Sequence, residues 1–215
     1  MGRTVRRRPY DSSSRKSSAQ ATRQTIIESA RRVFLERGYA GATMPAIAQA
    51  AGVALDTVYA TVGKKPTLFR SLVEAAISGR EEAVPATERD YARAIRAEPD
   101  AARKIEIYAG ALRAIQPWLA PLFQVLQAAA AIEPELAELW QEISRRRAMN
   151  MQLLAKELKA TGRLHPALSV RMVADIIWSM NSPEFYLLLV EQRGWSPEAF
   201  AQWLAQAWVK LLLER

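Results

Sequence analysis

Apolar residues along this chain recur with a period near 3.6, and no stretch shows the period of two that marks a strand between hairpin turns. From Thr22 onward, Ile26, Ile27, Ala30, Val33 and Phe34 share one helical face, and Gly38 follows as a stop. Thr43 stands as an N-cap with Pro45 in the first turn, and Ile47, Ala48 and Ala51 then form the face of a short second helix. Gly52 can take the left-handed conformation that ends it, and a third helix over 55–61 begins almost at once. Pro66 and Thr67 open a fourth, which runs through Leu68, Phe69, Leu72, Val73 and Ala76 towards Gly79.

Beyond residue 80 the same period persists, punctuated by Pro85, Pro99, Pro117, Pro134, Pro166, Pro183 and Pro197. Ser182-Pro183-Glu184 and Ser196-Pro197-Glu198 each read as an N-cap, a first-turn proline and an early acid that suits the helix dipole. The pattern predicts an all-α chain of nine or ten helices. In the last of these, Phe200, Trp203, Leu204, Ala207, Trp208, Leu211 and Leu212 make a long bulky stripe, near Val173, Ile176, Ile177 and Met180 of the preceding long helix. Such a stripe is either ordinary core or, being this aromatic, the cover for a second copy in a four-helix interface.

A pair of short helices broken by one glycine is what a helix-turn-helix requires. The tight turn sets the second helix steeply across the first, so that its outer face can enter a major groove. Val53 and Val58 then face inward, and Leu55, Asp56, Thr57, Tyr59 and Ala60 are offered to DNA. Asp56 has two readings: an acid compensating the positive end of the dipole, or an acceptor for a cytosine amino group.

Charge points the same way. Residues 1–80 hold 14 lysines and arginines against 5 acids, whereas residues 81–215 hold 16 against 17, so the excess behind the net +8 lies in the first third. A basic region of this kind is the footprint of a polyanion, because neutralising phosphates releases counterions. The basic N-terminal segment, with Arg3, Arg6, Arg7, Arg8, Arg15 and Lys16, should be disordered alone over residues 1 to about 20. It serves either as an arm in a minor groove or as a solvated tail adding non-specific affinity.

Composition removes whole classes of chemistry. The absence of cysteine excludes disulfides, thiolate metal sites and a cysteine nucleophile, and permits a reducing cytoplasm. The single histidine, His165, sits in a turn-like Gly162–Pro166 stretch without a histidine partner or a glutamate at bundle spacing, so no metal, cofactor or enzyme activity is predicted. No apolar stretch follows the basic start as a secretory signal needs, and the window Trp118 to Ile132 falls short of a spanning helix. No membrane helix is predicted.

The stretches "ARRVFLERGYAGAT", "IAQAAGV", "TVY" and "GKKPTLF", in this order over residues 23–73, resemble the TetR (tetracycline-repressor-like) family of transcription regulators. The resemblance implies that Thr43 meets a phosphate at the start of the second helix, that Thr57 and Tyr59 are contact positions of the recognition helix, and that Lys65, helped by Lys64, grips the DNA backbone. The chain departs from the family pattern at Ala54, where a capping serine is frequent, at Ala60 and at Thr61-Val62.

The resemblance further implies a basic arm over 1–21, a three-helix DNA-binding domain over 22–68 and a larger helical ligand-binding and dimerisation domain over 69–215. The candidate pocket residues are Trp118, Phe123, Trp140, Met149 and Met151, with Trp178, Asn181, Phe185 and Tyr186 from the later helices. The expectation is a cytoplasmic homodimer, without a membrane partner, that reads a pseudo-palindromic duplex DNA operator and is most simply a repressor released by a small-molecule effector. The competing reading is a helical small-molecule or lipid carrier whose basic end meets anionic membrane.

Overall fold

A computed structural model describes residues 12–78 and 84–214, with side chains from Ser17 onward. The described residues form ten α-helices: α1 (Ser12–Gly41), α2 (Met44–Ala51), α3 (Leu55–Val62), α4 (Lys65–Ser78), α5 (Asp90–Ala97), α6 (Ala101–Ala130), α7 (Pro134–Ala160), α8 (Val170–Met180), α9 (Pro183–Val190) and α10 (Pro197–Leu212). A single 3-10 turn, Ala86–Glu88, precedes α5. None of these helices is long and apolar enough to cross a membrane.

Two expectations are corrected here. The first helix begins at Ser12, within the segment expected to be disordered, although its break falls at Gly38 (φ 66°) as the pattern predicts. Arg15 and Lys16 therefore lie on a helix, whereas Arg3, Arg6, Arg7 and Arg8 lie outside the described residues. Pro117 does not end a helix either: it and Pro121 both sit inside α6. The two prolines are four residues apart, so both interruptions fall on one side. Leu112, Leu119, Leu122 and Leu126 stay buried along the other side, and tertiary packing holds the helix through the gap.

The core comes in two clusters. In the first, α1 to α4 bury Ile26, Phe34, Ile47, Val58 and Phe69 against Leu122, Phe123 and Leu126 of α6 and Leu136, Leu139 and Ile143 of α7. In the second, the other ends of α6 and α7 pack with α5, α8, α9 and α10. The two long helices thus run through both clusters. Ion pairs add a seam between α4 and α7, where Arg70 meets Glu142 at 2.7 Å and Arg146 meets Glu74.

The apolar stripe of α10 belongs to the chain itself. Phe200, Leu204, Trp208 and Leu212 recur every four residues and are fully buried, facing α6, while Val173 and Ile177 of α8 are fully buried in the same cluster on the α7 side, so these six are core and not an exposed dimer face. The reason is geometric: the i, i+4 row points at one neighbour, and that neighbour is α6. Trp203 (37% exposed) and Leu211 (54% exposed) flank the row and keep an outer surface, with Ala207 half-buried between them.

Candidate nucleic-acid interface

The turn between α2 and α3 follows from Gly52, whose φ of 66° and ψ of 31° are the left-handed values a glycine adopts without steric cost. The next amide, of Val53, donates to the Ala48 carbonyl at 3.1 Å, closing the helix end, and Val53 folds against the core. Ser29 of α1 fixes the end of α2 by donating to the Ala50 carbonyl at 3.2 Å. Below the turn, Phe34, Tyr39 and Phe69 form an aromatic trio with ring centroids 4.8 to 5.9 Å apart.

On this support α3 is two-faced. Val58 and Val62 are buried, whereas Leu55 (36%), Asp56, Tyr59 (45%) and Ala60 are exposed and Thr57 is half-buried. Ala54 stands at the N-cap with extended backbone and gives α3 no side-chain cap, while Asp56 supplies an acid in the first turn. At the other end Thr61 donates to the Thr57 carbonyl at 2.6 Å, and the Arg23 guanidinium reaches the Thr61 carbonyl at 3.3 Å.

The flanking positions are held by different means. Thr43 caps α2, its hydroxyl oxygen accepting from the Ala46 amide at 3.2 Å, which leaves the hydroxyl proton free to donate outward. After a turn at Gly63 (φ 74°), exposed Lys64 precedes α4 and half-buried Lys65 begins it. The Lys65 ammonium lies 4.1 Å from the Tyr39 ring centroid, and burial pushes its pKa down, with Glu133 acting in the opposite sense.

Arg23 was not legible as part of this surface, because nothing in its spacing distinguishes it from other arginines of α1. The long start of α1 was also missed. It forms with α3 and α4 a cleft of about 920 Å³ whose walls include Gln20, Arg23, Gln24, Thr57 and Thr61.

A separate apolar cavity of about 300 Å³ lies in the body, between the 3-10 turn, α5, α6 and α7, walled by Tyr91, Ile95, Tyr108, Met151, Leu154 and Glu157 among others. Tyr108 is buried, accepts from Asn181 Nδ2 at 2.7 Å and has its pKa raised, chiefly by burial. Of the expected pocket residues only Met151 lines this space. Phe123 and Trp140 stack on each other at 4.5 Å in the first cluster, and Tyr186 is buried against Phe200. Phe185 stacks on Trp203. Asn181 is buried behind the cavity, holding Tyr108 and accepting from Arg147. Trp118 (57% exposed) and Met149 (59% exposed) are at the surface, and Trp178 carries the Arg147 guanidinium on its ring. Bulky side chains fill space, so the residues singled out for their bulk mark packed core or surface more often than a cavity wall.

Residues 26–72 match the family model of the bacterial regulatory proteins of the tetR family. No curated protein matches the sequence. Among solved structures the chain is similar to NalD of Pseudomonas aeruginosa, the secondary repressor of the MexAB-OprM multidrug efflux pump, at 22% identity and TM-score 0.69, covering 92% of this chain and 98% of that one. It is also similar to the fatty acid degradation regulator FadR of Bacillus halodurans, at 21% identity and TM-score 0.64, over 87% and 94% of the two chains. A third is SmeT in complex with triclosan, at 17% identity and TM-score 0.63, over 91% and 93%. At these identities the likeness is one of fold.

Proposed function

We propose that this chain, which carries the tetR-family domain over residues 26–72, is a homodimeric transcription regulator that leaves its DNA operator when a small molecule binds in its body. The observation that carries the reading is the Gly52 turn with the exposed face of α3 behind it: Leu55, Asp56, Tyr59 and Ala60 stand outward from a helix whose other face is fully buried. A lipid-surface carrier needs a basic end but no such turn. In this reading Thr43, Tyr59, Lys64 and Lys65 hold phosphates, and Thr57 with its exposed neighbours reads base edges.

What supports ligand control is the apolar space in the body, which abuts α7, the helix whose earlier turns pair with α4. An effector shifts DNA affinity only by its difference in affinity between the DNA-bound and free states. What favours repression is that displacement by an effector is the simplest use of such a link.

Selection of bound duplexes from a random DNA pool with the full-length protein tests the reading. A two-fold-related motif is expected to be enriched, and Tyr59→Phe is expected to weaken binding to it. Salt-sensitive binding without sequence enrichment would overturn the regulator reading and move the carrier to the front.

A further inference from the structure

The charges around the apolar cavity are unevenly matched. Glu157 on its wall already accepts from buried Lys104 at 3.2 Å, and Glu74 nearby accepts from Arg146. Among the described residues, three arginines donate hydrogen bonds only to neutral groups. Arg96 donates to the Thr87 carbonyl at 2.7 Å. Arg89 donates to the Val84 carbonyl at 3.1 Å and to the Tyr91 hydroxyl at 3.2 Å. Arg147 donates to the Trp178 carbonyl at 3.0 Å and to Asn181 Oδ1 at 2.6 Å.

Arg96 lies on the wall of the apolar cavity itself, and the other two line a neighbouring groove. This groove measures about 540 Å³, has Arg89, Arg146, Arg147 and the Arg146-paired Glu74 on its wall, and shares Ala86, Thr87 and Asn150 with the apolar cavity. Arg89 bonds to Tyr91, itself a wall of the apolar side, and so stands at the junction. Burial lowers the pKa of Arg147 more than the nearby Tyr108 and Glu184 raise it, so its charge is held at a cost which a further anion would offset. Apolar space on one side and unmatched cations on the other define a ligand with two ends.

We propose that the effector is an anionic amphiphile, with its apolar body among Tyr91, Ile95, Tyr108, Met151 and Leu154 and its carboxylate or phosphate head on Arg89 and Arg147. The proposal rests on the reading of the body as an effector site and names the chemistry of that effector. A guanidinium fork pairs with either head in a bidentate manner, and the two heads share this recognition. A cationic amphiphile meets three arginines and two acids that already have partners, with Glu184 acting on Arg147, so Coulomb repulsion disfavours it.

Calorimetric titration of the full-length protein with decanoate, decyl phosphate, decanol and decyltrimethylammonium, and with acetate as a head alone, tests this. At least one of the two anions is expected to bind roughly tenfold or more tightly than decanol, with the advantage shrinking as salt rises, and the stronger of the two identifies the head. Arg89→Met and the charge-conserving Arg147→Lys are each expected to weaken binding of that anion several-fold and to leave decanol unchanged. Equal affinity for anionic, neutral and cationic heads, or anion affinity unmoved in both variants, would overturn the proposal. DNA release is scored separately on the enriched duplex. Anion binding that leaves DNA bound overturns effector control and supports the site, whereas sequence-specific DNA binding without head-charge preference overturns the site alone.

Discussion

The ammonium of Lys65 rests 4.1 Å from the centre of the Tyr39 ring, so the first residue of α4 is aimed by the last residues of α1 across the reading head. If Lys65 holds a phosphate as proposed, the two side chains should make separable contributions to DNA affinity. Lys65→Ala is expected to weaken binding and make the salt slope shallower by about one, because one phosphate contact is lost. Tyr39→Leu keeps the charge and loses its aim, so affinity falls with the slope unchanged. Titrations at several salt concentrations check both, and identical slopes for wild type and Lys65→Ala would remove Lys65 from the phosphates.

Ala54 offers a gain. Its extended backbone (φ −66°, ψ 147°) already has N-cap geometry, but it has no side chain to accept from the first turn of α3. Ala54→Ser is expected to stabilise the protein by about 0.5 to 2 kcal/mol, measured by chemical denaturation. No gain would mean that water already satisfies those amides as well as a hydroxyl does.

Two tryptophans of α10 should behave oppositely. Trp208 is fully buried and stacks on Tyr108 at 5.8 Å, so Trp208→Ala is expected to destabilise by about 3 to 5 kcal/mol. Trp203 keeps an outer surface beside Phe185 and Trp195, and Trp203→Ala should cost about 1 kcal/mol in the monomer while shifting sedimentation from dimer towards monomer. An unchanged sedimentation profile in both Trp203→Ala and Leu211→Ala would place the dimer contact elsewhere.

Alkaline pH should unfold the protein through its buried phenols. The Tyr39 pKa is pushed up to about 12, first by burial and then by Glu133 and Glu135, and burial also raises Tyr108 and Tyr186. A folded pKa above the unfolded value near 10 means that this stability is present below pH 10 and lost as pH rises towards 12. Urea midpoints measured from pH 8 to 12 are expected to fall beyond pH 10, and less steeply in Tyr39→Phe. Equal decline in both proteins would exclude Tyr39 as a source.

The reading head was legible because backbone chemistry there is local. Gly52 must end α2, Thr43 must cap it, and the Val58 side of α3 must turn inward whatever else the chain does. The serine caps of α9 and α10 were legible for the same reason, with Ser182 and Ser196 accepting from Phe185 and Ala199. Pro117 misled because packing from two clusters overrides a local break. The α10 stripe announced burial without saying against what, since burial in one's own core and burial against a twin leave the same pattern. The apolar cavity is a property of absent volume, and no residue pattern announces it.

Because α6 and α7 cover the reading head as well as lining the apolar cavity, the head is not a detachable module. A gene fragment ending after α4 would leave Phe69, Leu72 and Val73 without Leu122, Phe123 and Leu126 to lie against, and the product would aggregate sooner than bind an operator. Grafting this head onto a foreign sensor would therefore require carrying the adjoining ends of two helices from far downstream. Recombination between relatives is constrained in the same way: crossovers within the first 78 residues can exchange reading faces, but one placed at the end of α4 joins two half-cores that never shaped each other.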